Sequence, residues 1–316
     1  MYDLIIIGSG AAGLSAALYA GRYRMKVLVV GREFGGEGSR AGFIENYPGV
    51  ERIDGYELME IMRKQVKELG VEVSSDEVTA ITREAHCFEL TVRHKKLQAH
   101  AVIFATGAER RHLGLANEKE LTGRGVHYCI TCDGPVYQQK TIAIVGGGDA
   151  SVKGAILATE YADKVYVLIR GKEPIAEPVN MERMRSIGDK IVVINETEVQ
   201  ELVGKERLEK IILRKSDGAT SELVLDGLFV EIGAIPNTAL ATSLGVAMDD
   251  KGYIMTDAMM RTNIDGVFAA GDTVNFFGAF KQYVTASATG AVAATSAYND
   301  RKIHGELCEL HAQPGM

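Results

Sequence analysis

Cys129-Ile-Thr-Cys132, followed directly by Asp133-Gly134, is the stretch of this 316-residue chain whose residue types suit redox chemistry. Two thiols separated by two residues can close into a disulfide, and exchange proceeds through a thiolate attacking a disulfide sulfur. A CxxC turn at a helix start commonly lowers the thiol pKa and so favours that thiolate. The competing use of such a pair is half of a zinc site, which needs a second Cys/His pair at ligand spacing. Cys87 and Cys308 are single and no such His pair accompanies them, so no metal is expected. Cys87 alternates with apolar residues and reads as core, whereas Cys308 falls in the carboxyl-terminal helix.

The dithiol is flanked by two glycine-rich turns, and each turn sits in the same kind of frame. The first frame runs from the apolar strand Leu4-Ile-Ile-Ile7 to Gly8-Ser-Gly10-Ala-Ala-Gly13. A small-residue helix over 14–23 and a second strand, Lys26 to Val30, follow. Strand, glycine turn, helix and strand in this order form a dinucleotide-binding fingerprint. Gly8 serves the tight turn, Gly10 the approach of a pyrophosphate to the helix N-terminus, and Gly13 the close packing of helix on strand. Glu33 stands at the distance where an acidic side chain takes adenosine ribose hydroxyls.

The second frame repeats the first. Thr141 to Val145 is the strand, Gly146-Gly-Gly148-Asp149-Ala-Ser151 the turn, and Lys164 to Ile169 the next strand, with a helix to about Tyr161 between them. Each half closes on an apolar strand and a glycine, at Ala101–Gly107 and at Gly227–Gly233. One glycine fingerprint is weak evidence for a nucleotide; two in matching context are much stronger. The expected fold is therefore α/β, with two Rossmann-like, three-layer dinucleotide-binding domains. The order of parts reads as an electron relay: a flavin on one fingerprint, a nicotinamide donor on the other, and the dithiol as exit.

Composition agrees with a globular chain and excludes some partners. Hydrophobic residues make up 46% and charged residues 24%, the net charge is −7, and the calculated pI is near 5.6. No run of like charge favours nucleic acid or an acidic membrane. No apolar run reaches membrane-spanning length, and the amino terminus enters an apolar strand without the pattern of a signal peptide. A cytoplasmic location is expected, where a two-residue cysteine spacing signals catalysis rather than scaffolding.

Taken together, these motifs resemble the low-molecular-weight thioredoxin reductases over nearly the whole chain. The resemblance rests on Gly8 to Gly13, Glu45-Asn46-Tyr47-Pro48-Gly49, Ala105-Thr-Gly-Ala108, Cys129 to Gly134, Ile232 to Thr238 and Val267-Phe-Ala-Ala-Gly-Asp272. It implies an FAD domain built from both chain ends, residues 1–112 and 243–316. A pyridine-nucleotide-type domain, 113–242, would be inserted between them and carry the dithiol. It implies FAD contacts at Asn46, Thr106, Gly107, Asp272, Lys281 and Gln282 besides the first glycine turn and Glu33. By the same analogy Cys132 faces the flavin, Cys129 attacks the substrate disulfide, and Asp133 is the acid. A thioredoxin-like protein is the implied substrate and a homodimer the implied assembly. Domain motion in this family needs short hinges, for which Arg111–Gly114 and Thr238–Ala241 are candidates.

The departures from that pattern lie on the nicotinamide side. Gly146, Gly148 and Ser151 keep the turn. After the following strand, however, the chain reads Ile169-Arg170-Gly171-Lys172-Glu173-Pro174-Ile175, and only Arg170 matches the arginines that hold a 2'-phosphate. Losing an arginine fork weakens NADPH. The acidic residue that would favour NADH is also missing, and Lys153-Gly154 replaces a pair of glutamates. The expectation is a weak or altered NAD(P)H site, with NADH, ferredoxin or a reduced deazaflavin as other donors. Smaller departures are Glu37 near the flavin, read as facing solvent, and Lys281-Gln282. His127 reads as a surface-loop histidine without a role, and Asn275 to Phe280 as packing.

The leading functional expectation is a thioredoxin-disulfide reductase. A ferredoxin–nicotinamide reductase is a second reading, opposed by Cys129 and Cys132. A flavoprotein sensor or binding module without turnover is a third, supported only by the altered nicotinamide motif.

Overall fold

A computed structural model of the chain describes every residue except Gly42, Ala85, His86, Ala279 and residues 313–316, with side chains described up to Lys302. The chain divides into two compact units, Met1–Glu109 with Pro236–Met316, and Arg110–Ile235.

The first unit is organised around the strand Tyr2–Ile7, which pairs in parallel with Val27–Val30 on one side and Lys95–Phe104 on the other. Val27–Val30 continues the parallel set to Glu72–Ser74. A strand covered on both faces must be apolar throughout, and Leu4, Ile5 and Ile6 are fully buried. The ten-residue strand Lys95–Phe104 serves two neighbours in turn. Its amino-terminal half pairs antiparallel with Cys87–Val92, and its last three residues pair in parallel with Val267–Ala269. That second pairing brings the chain's return to the sheet edge where Asp272 follows. Cys87, expected in the core, is half-buried at the start of its strand, and the side chain of Cys308 lies outside the described residues.

The first helix, Ala11–Arg22, lies against the carboxyl-terminal helix, Tyr283–Ala312. Their approach is close: a Cβ on Gly290 would come within 2.1 Å of the Ala12 carbonyl oxygen. The Ala/Ser/Thr-rich face of the final helix is thus used within the chain. The helix includes position 308, as the sequence led us to expect.

The second unit has its own five-stranded parallel sheet. Its order is Val126–His127, Gly227–Val230, Thr141–Val145, Lys164–Leu168 and Ile191–Ile194. A three-stranded antiparallel sheet over Thr197–Val203, Lys210–Lys215 and Thr220–Val224 adjoins it in sequence. The helix after the second glycine turn spans Asp149–Ala158, shorter than expected, because the chain turns at Thr159. Two three-layer α/β units with parallel central strands match the fold class read from the sequence.

Candidate active site: a dithiol turn and two glycine turns

The dithiol turn belongs to the second unit. Cys129 caps the one-turn helix Ile130–Asp133 and is joined to Cys132 in a disulfide, with Cα atoms 5.3 Å apart. The Cys129 sulfur accepts a hydrogen bond from the Cys132 backbone N–H at 3.2 Å. Cys132 is exposed and Cys129 half-buried. Ile130 anchors the turn by packing against the helix Asp149–Ala158. There it adjoins Gly154: a Cβ at that position would lie in ordinary contact, 3.4 Å from the Ile130 side chain.

His127 contradicts the expectation of a surface-loop residue. It stands on the two-residue strand Val126–His127 opposite Phe229 and is 8% exposed. Its Nδ1 lies 3.3 Å from Oδ2 of Asp133, and its Nε2 lies 2.7 Å from the Tyr137 hydroxyl. The imidazole stacks on Phe229 with ring centres 5.3 Å apart. Burial pushes the His127 pKa down, against the opposing pull of the Asp133 carboxylate. Burial, then Asp133 and Asp226, push the Tyr137 phenol up to about 12. Sequence patterns miss this histidine because a strand of two residues leaves no periodicity. The signal present in the sequence is the apolar strand Gly227–Val230, which needs a neighbour on its far side.

A second carboxylate, Glu118, ties residues 113–115 to Tyr128, the residue before Cys129. Glu118 accepts from the backbone N–H groups of Leu113, Gly114 and Leu115 at 2.8, 2.7 and 3.3 Å, and from the Tyr128 hydroxyl at 2.7 Å. Burial raises the Glu118 pKa, but these four donors outweigh it and the net shift is downward.

The first glycine turn, in the first unit, fits a dinucleotide. Gly8 has φ +115°, and a Cβ there would come within 2.0 Å of the Ala105 carbonyl oxygen. A Cβ on Gly13 would come within 1.9 Å of the Gly8 carbonyl oxygen, so helix and strand meet as only glycine allows. At Gly10, which caps the helix without a side-chain hydrogen bond, the nearest atom to a Cβ is 3.7 Å away. Open backbone N–H groups at a helix N-terminus suit a pyrophosphate.

Around this turn several of the expected FAD residues come together. The Glu33 carboxylate pairs with Arg40 at 2.5 Å and lies 3.6 Å from Arg32. Glu37 also reaches Arg40, at 3.3 Å, and its side chain is 37% exposed. Asn46 donates to the Gln282 side-chain oxygen at 3.0 Å, joining two expected residues from distant parts of the sequence. Thr106 donates to the Asn237 carbonyl at 2.5 Å, and Gly107, at φ +64°, turns the chain beside it. Lys281 donates to the Val274 carbonyl and lies over the Tyr253 ring at 4.4 Å. Burial raises the Asp272 carboxyl pKa, with Glu37 adding to the rise and Lys281 opposing it. Asp272 and Lys281 line a small cavity with Phe277, Phe280 and Thr289.

The second glycine turn shares the backbone and differs in its dressing. Gly146, at φ +141°, lies as close to Glu231 as Gly8 does to Ala105: a Cβ would meet the Glu231 carbonyl oxygen at 2.1 Å. Ser151 stands where the first turn has Gly13; it is fully buried and its hydroxyl donates to that same carbonyl at 3.2 Å. Gly148 caps its helix, and a Cβ there would meet nothing within 4 Å. The segment after the second strand folds back on the turn. The Ile175 N–H donates to the Gly147 carbonyl at 2.7 Å, and Asp149 accepts from the Glu177 N–H at 3.1 Å and from Asn180 at 2.9 Å. Arg170 is strongly exposed and lies 3.9 Å from Glu198, while Lys153 lies 3.5 Å from Asp149 on its own helix. No arginine fork forms among these residues.

Two nucleotide-type turns and a disulfide at a helix cap define the class as an FAD-dependent disulfide oxidoreductase. A family model described as pyridine nucleotide-disulphide oxidoreductase matches residues 2–290. The thioredoxin reductase of Listeria monocytogenes is 38% identical over 300 residues, covering 94% of this chain and 93% of the relative. The crystal structure of Lactococcus lactis thioredoxin reductase superposes with a TM-score of 0.91 at 34% identity, covering 95% of this chain and 99% of that one. A ferredoxin-flavin thioredoxin reductase from Clostridium acetobutylicum superposes with a TM-score of 0.53 at 31% identity, covering 96% and 99%. The chain belongs to the pyridine nucleotide-disulphide oxidoreductase family, within its low-molecular-weight thioredoxin reductase class. Among the described residues no helix is long and apolar enough to cross a membrane.

Proposed function

We propose that this thioredoxin-disulfide reductase passes electrons from FAD on the first unit to Cys129–Cys132 on the second, and then to the disulfide of a thioredoxin or thioredoxin-like protein. The observation that carries the reading is the Cys129–Cys132 disulfide held at a helix cap, with Asp133 immediately after it. FAD, when bound, supplies a two-electron carrier able to reduce a neighbouring disulfide. The first glycine turn would hold its pyrophosphate, Glu33 the adenosine ribose, and Asp272 a hydroxyl of the ribitol chain. Asn46, Thr106, Gly107, Lys281 and Gln282 would complete its cradle.

In the reduced protein the Cys129 thiolate attacks the substrate disulfide and forms a mixed disulfide. The Cys132 thiolate then attacks Cys129 and re-forms the internal bond, releasing the substrate's second sulfur. Asp133 moves protons between the thiols and the departing sulfurs.

The entrance of electrons is the divergent part of this reading. Gly146, Gly148, Ser151 and Arg170 would offer a nicotinamide nucleotide a turn and a single displaced charge. The fold-back of Ile175 and Glu177, and the pairing of Lys153 with Asp149, support weakened recognition of NADPH. NADH, a reduced ferredoxin or a reduced deazaflavin are the donors this leaves, and the likeness to a ferredoxin-flavin enzyme keeps ferredoxin among them. A cytoplasmic homodimer is the setting proposed for the relay. Supplying electrons to the FAD-loaded protein by photoreduction, with oxidised thioredoxin present, tests the exit. Rapid appearance of thioredoxin thiols is expected; no transfer to any thioredoxin would leave the non-turnover sensor as the better account.

A further inference from the structure

His127 has a place in the second unit that the proposed reaction has not yet used. Both ring nitrogens have partners, Asp133 at 3.3 Å and Tyr137 at 2.7 Å. One face of the ring is stacked on Phe229, and Tyr137 meets both rings edge-on, at 5.5 Å from His127 and 5.6 Å from Phe229. An imidazole held on two nitrogens and a face has one orientation, and the group it addresses is the carboxyl next to Cys132.

The geometry points to His127 as a positioning residue for dithiol exchange: anchored by Tyr137 and Phe229, it holds the Asp133 carboxyl beside the thiols and shares a proton with it. The inference rests on the reading of Asp133 as the acid of the exchange. The tautomer follows from the partners. An ionised carboxylate only accepts, so Nδ1 carries the hydrogen, and Nε2 accepts from the Tyr137 hydroxyl. To protonate Nε2 as well, the Tyr137 hydroxyl must stop donating to it, so Tyr137 favours the neutral ring while Asp133 favours the charged one. Two further charged groups act on this cluster through Tyr137. They are Asp226, whose charge acts on the phenol, and Lys140, whose ammonium lies 5.9 Å from the ring centre.

The atoms balance without any further reactant. Cys129 and Cys132 each give up a proton to become thiolates, and together they deliver two electrons as their new S–S bond forms. The substrate S–S bond breaks, and each of its sulfurs takes up one proton. At each of the two displacements the His127–Asp133 pair receives the proton that the attacking cysteine gives up and returns it to the substrate sulfur that leaves.

The test uses the full-length, FAD-loaded protein reduced with dithiothreitol, desalted, and alkylated with iodoacetamide across about pH 5 to 9, spanning the ordinary histidine and cysteine ranges. The wild-type rate should show two inflections, one for thiolate formation and one for the coupled pair. His127→Asn should lose the second inflection and slow thioredoxin reduction by about tenfold, below the span of a full acid–base group because Asp133 remains. Tyr137→Phe should keep both inflections and move that of the pair to higher pH, because the hydroxyl that favours neutral Nε2 is gone. A profile unchanged in Tyr137→Phe, or in a folded His127→Asn, overturns the inference. Should His127→Asn fail to fold, Tyr137→Phe decides alone, since it removes a single hydroxyl. A parallel mix of reduced wild-type protein with oxidised thioredoxin separates the two claims. Failure there sinks the proposed reaction and leaves the alkylation profile to judge His127.

Discussion

The two glycine turns are built on one plan and have diverged in what surrounds them. Gly8 and Gly146 both take positive φ, and each presses against the carbonyl of the residue just past a neighbouring strand, so the tight turn is preserved twice. Beyond the turn they part. The first leads to Glu33, clasped by Arg40, whereas the second leads to the exposed Arg170 and a segment that bonds back onto the turn through Ile175. At the helix start, Gly13 in the first turn corresponds to Ser151 in the second, which spends its hydroxyl on Glu231. The lesson is that backbone geometry, which strand packing enforces, outlasts the side chains that choose a ligand.

The largest expected effect lies at the exit that both turns serve. Cys129→Ser or Cys132→Ser should abolish thioredoxin reduction, because each removes one sulfur of a two-sulfur exchange. A thiol-release assay reads this directly, and substantial turnover in either variant contradicts the relay.

Next come paired substitutions at the helix caps. Gly10→Ala and Gly148→Ala each place a methyl where the fold has room, so both proteins should fold, at a cost of about 1 kcal/mol or less for the poorer helix cap. Gly10→Ala should purify with little FAD, since the methyl would stand where the pyrophosphate is proposed to approach the backbone. Gly148→Ala should keep its flavin. Visible absorption against protein concentration measures both, and equal flavin content in the two variants would break the contrast between the turns.

A gain of function sharpens the same comparison. Gly171→Arg returns a guanidinium to the strand end beside Arg170 and should improve the apparent NADPH affinity about tenfold, in line with one charge-assisted hydrogen bond of about 1.5–3 kcal/mol. Titration of flavin reduction by NADPH, with NADH as control, checks it. An equal gain for both nucleotides would mean that the 2'-phosphate is not what the new side chain holds.

The smallest effect concerns the Glu118 carboxylate near the dithiol in the sequence. Its folded-state pKa is depressed, so its contribution to stability is present above the unfolded-state value and is lost as pH falls through the folded one. Glu118→Gln should therefore flatten the acid limb of the stability curve below the ordinary carboxylate range and leave the neutral region with a constant offset. Urea melts at several pH values measure this. A variant whose acid limb matches that of the wild type would show that Glu118 does not set it.

The fold is largely legible in the sequence because its signals are local. Leu4 to Ile7 and Thr141 to Val145 are apolar runs ended by glycine, and such runs become central parallel strands. The start of a helix at Cys129 is also legible. What escapes is set by contacts far apart in sequence. His127 is buried because Phe229 pairs with it across the sheet, and the strand it belongs to is too short for a pattern. Asn46 and Gln282 are each expected at the flavin, but their hydrogen bond to one another depends on the chain's return. The closing of Ile175 onto Gly147 is likewise a tertiary event; the sequence displays only the missing arginines.

The proposed relay has an exit that is intact and an entrance that has changed. Anaerobic stopped-flow mixing of the FAD-loaded protein with NADPH, followed at the flavin absorption, tests this most directly. Slow bleaching that saturates only at high NADPH, beside rapid thioredoxin reduction once the flavin is photoreduced, is the predicted result. Fast flavin reduction at micromolar NADPH would contradict it.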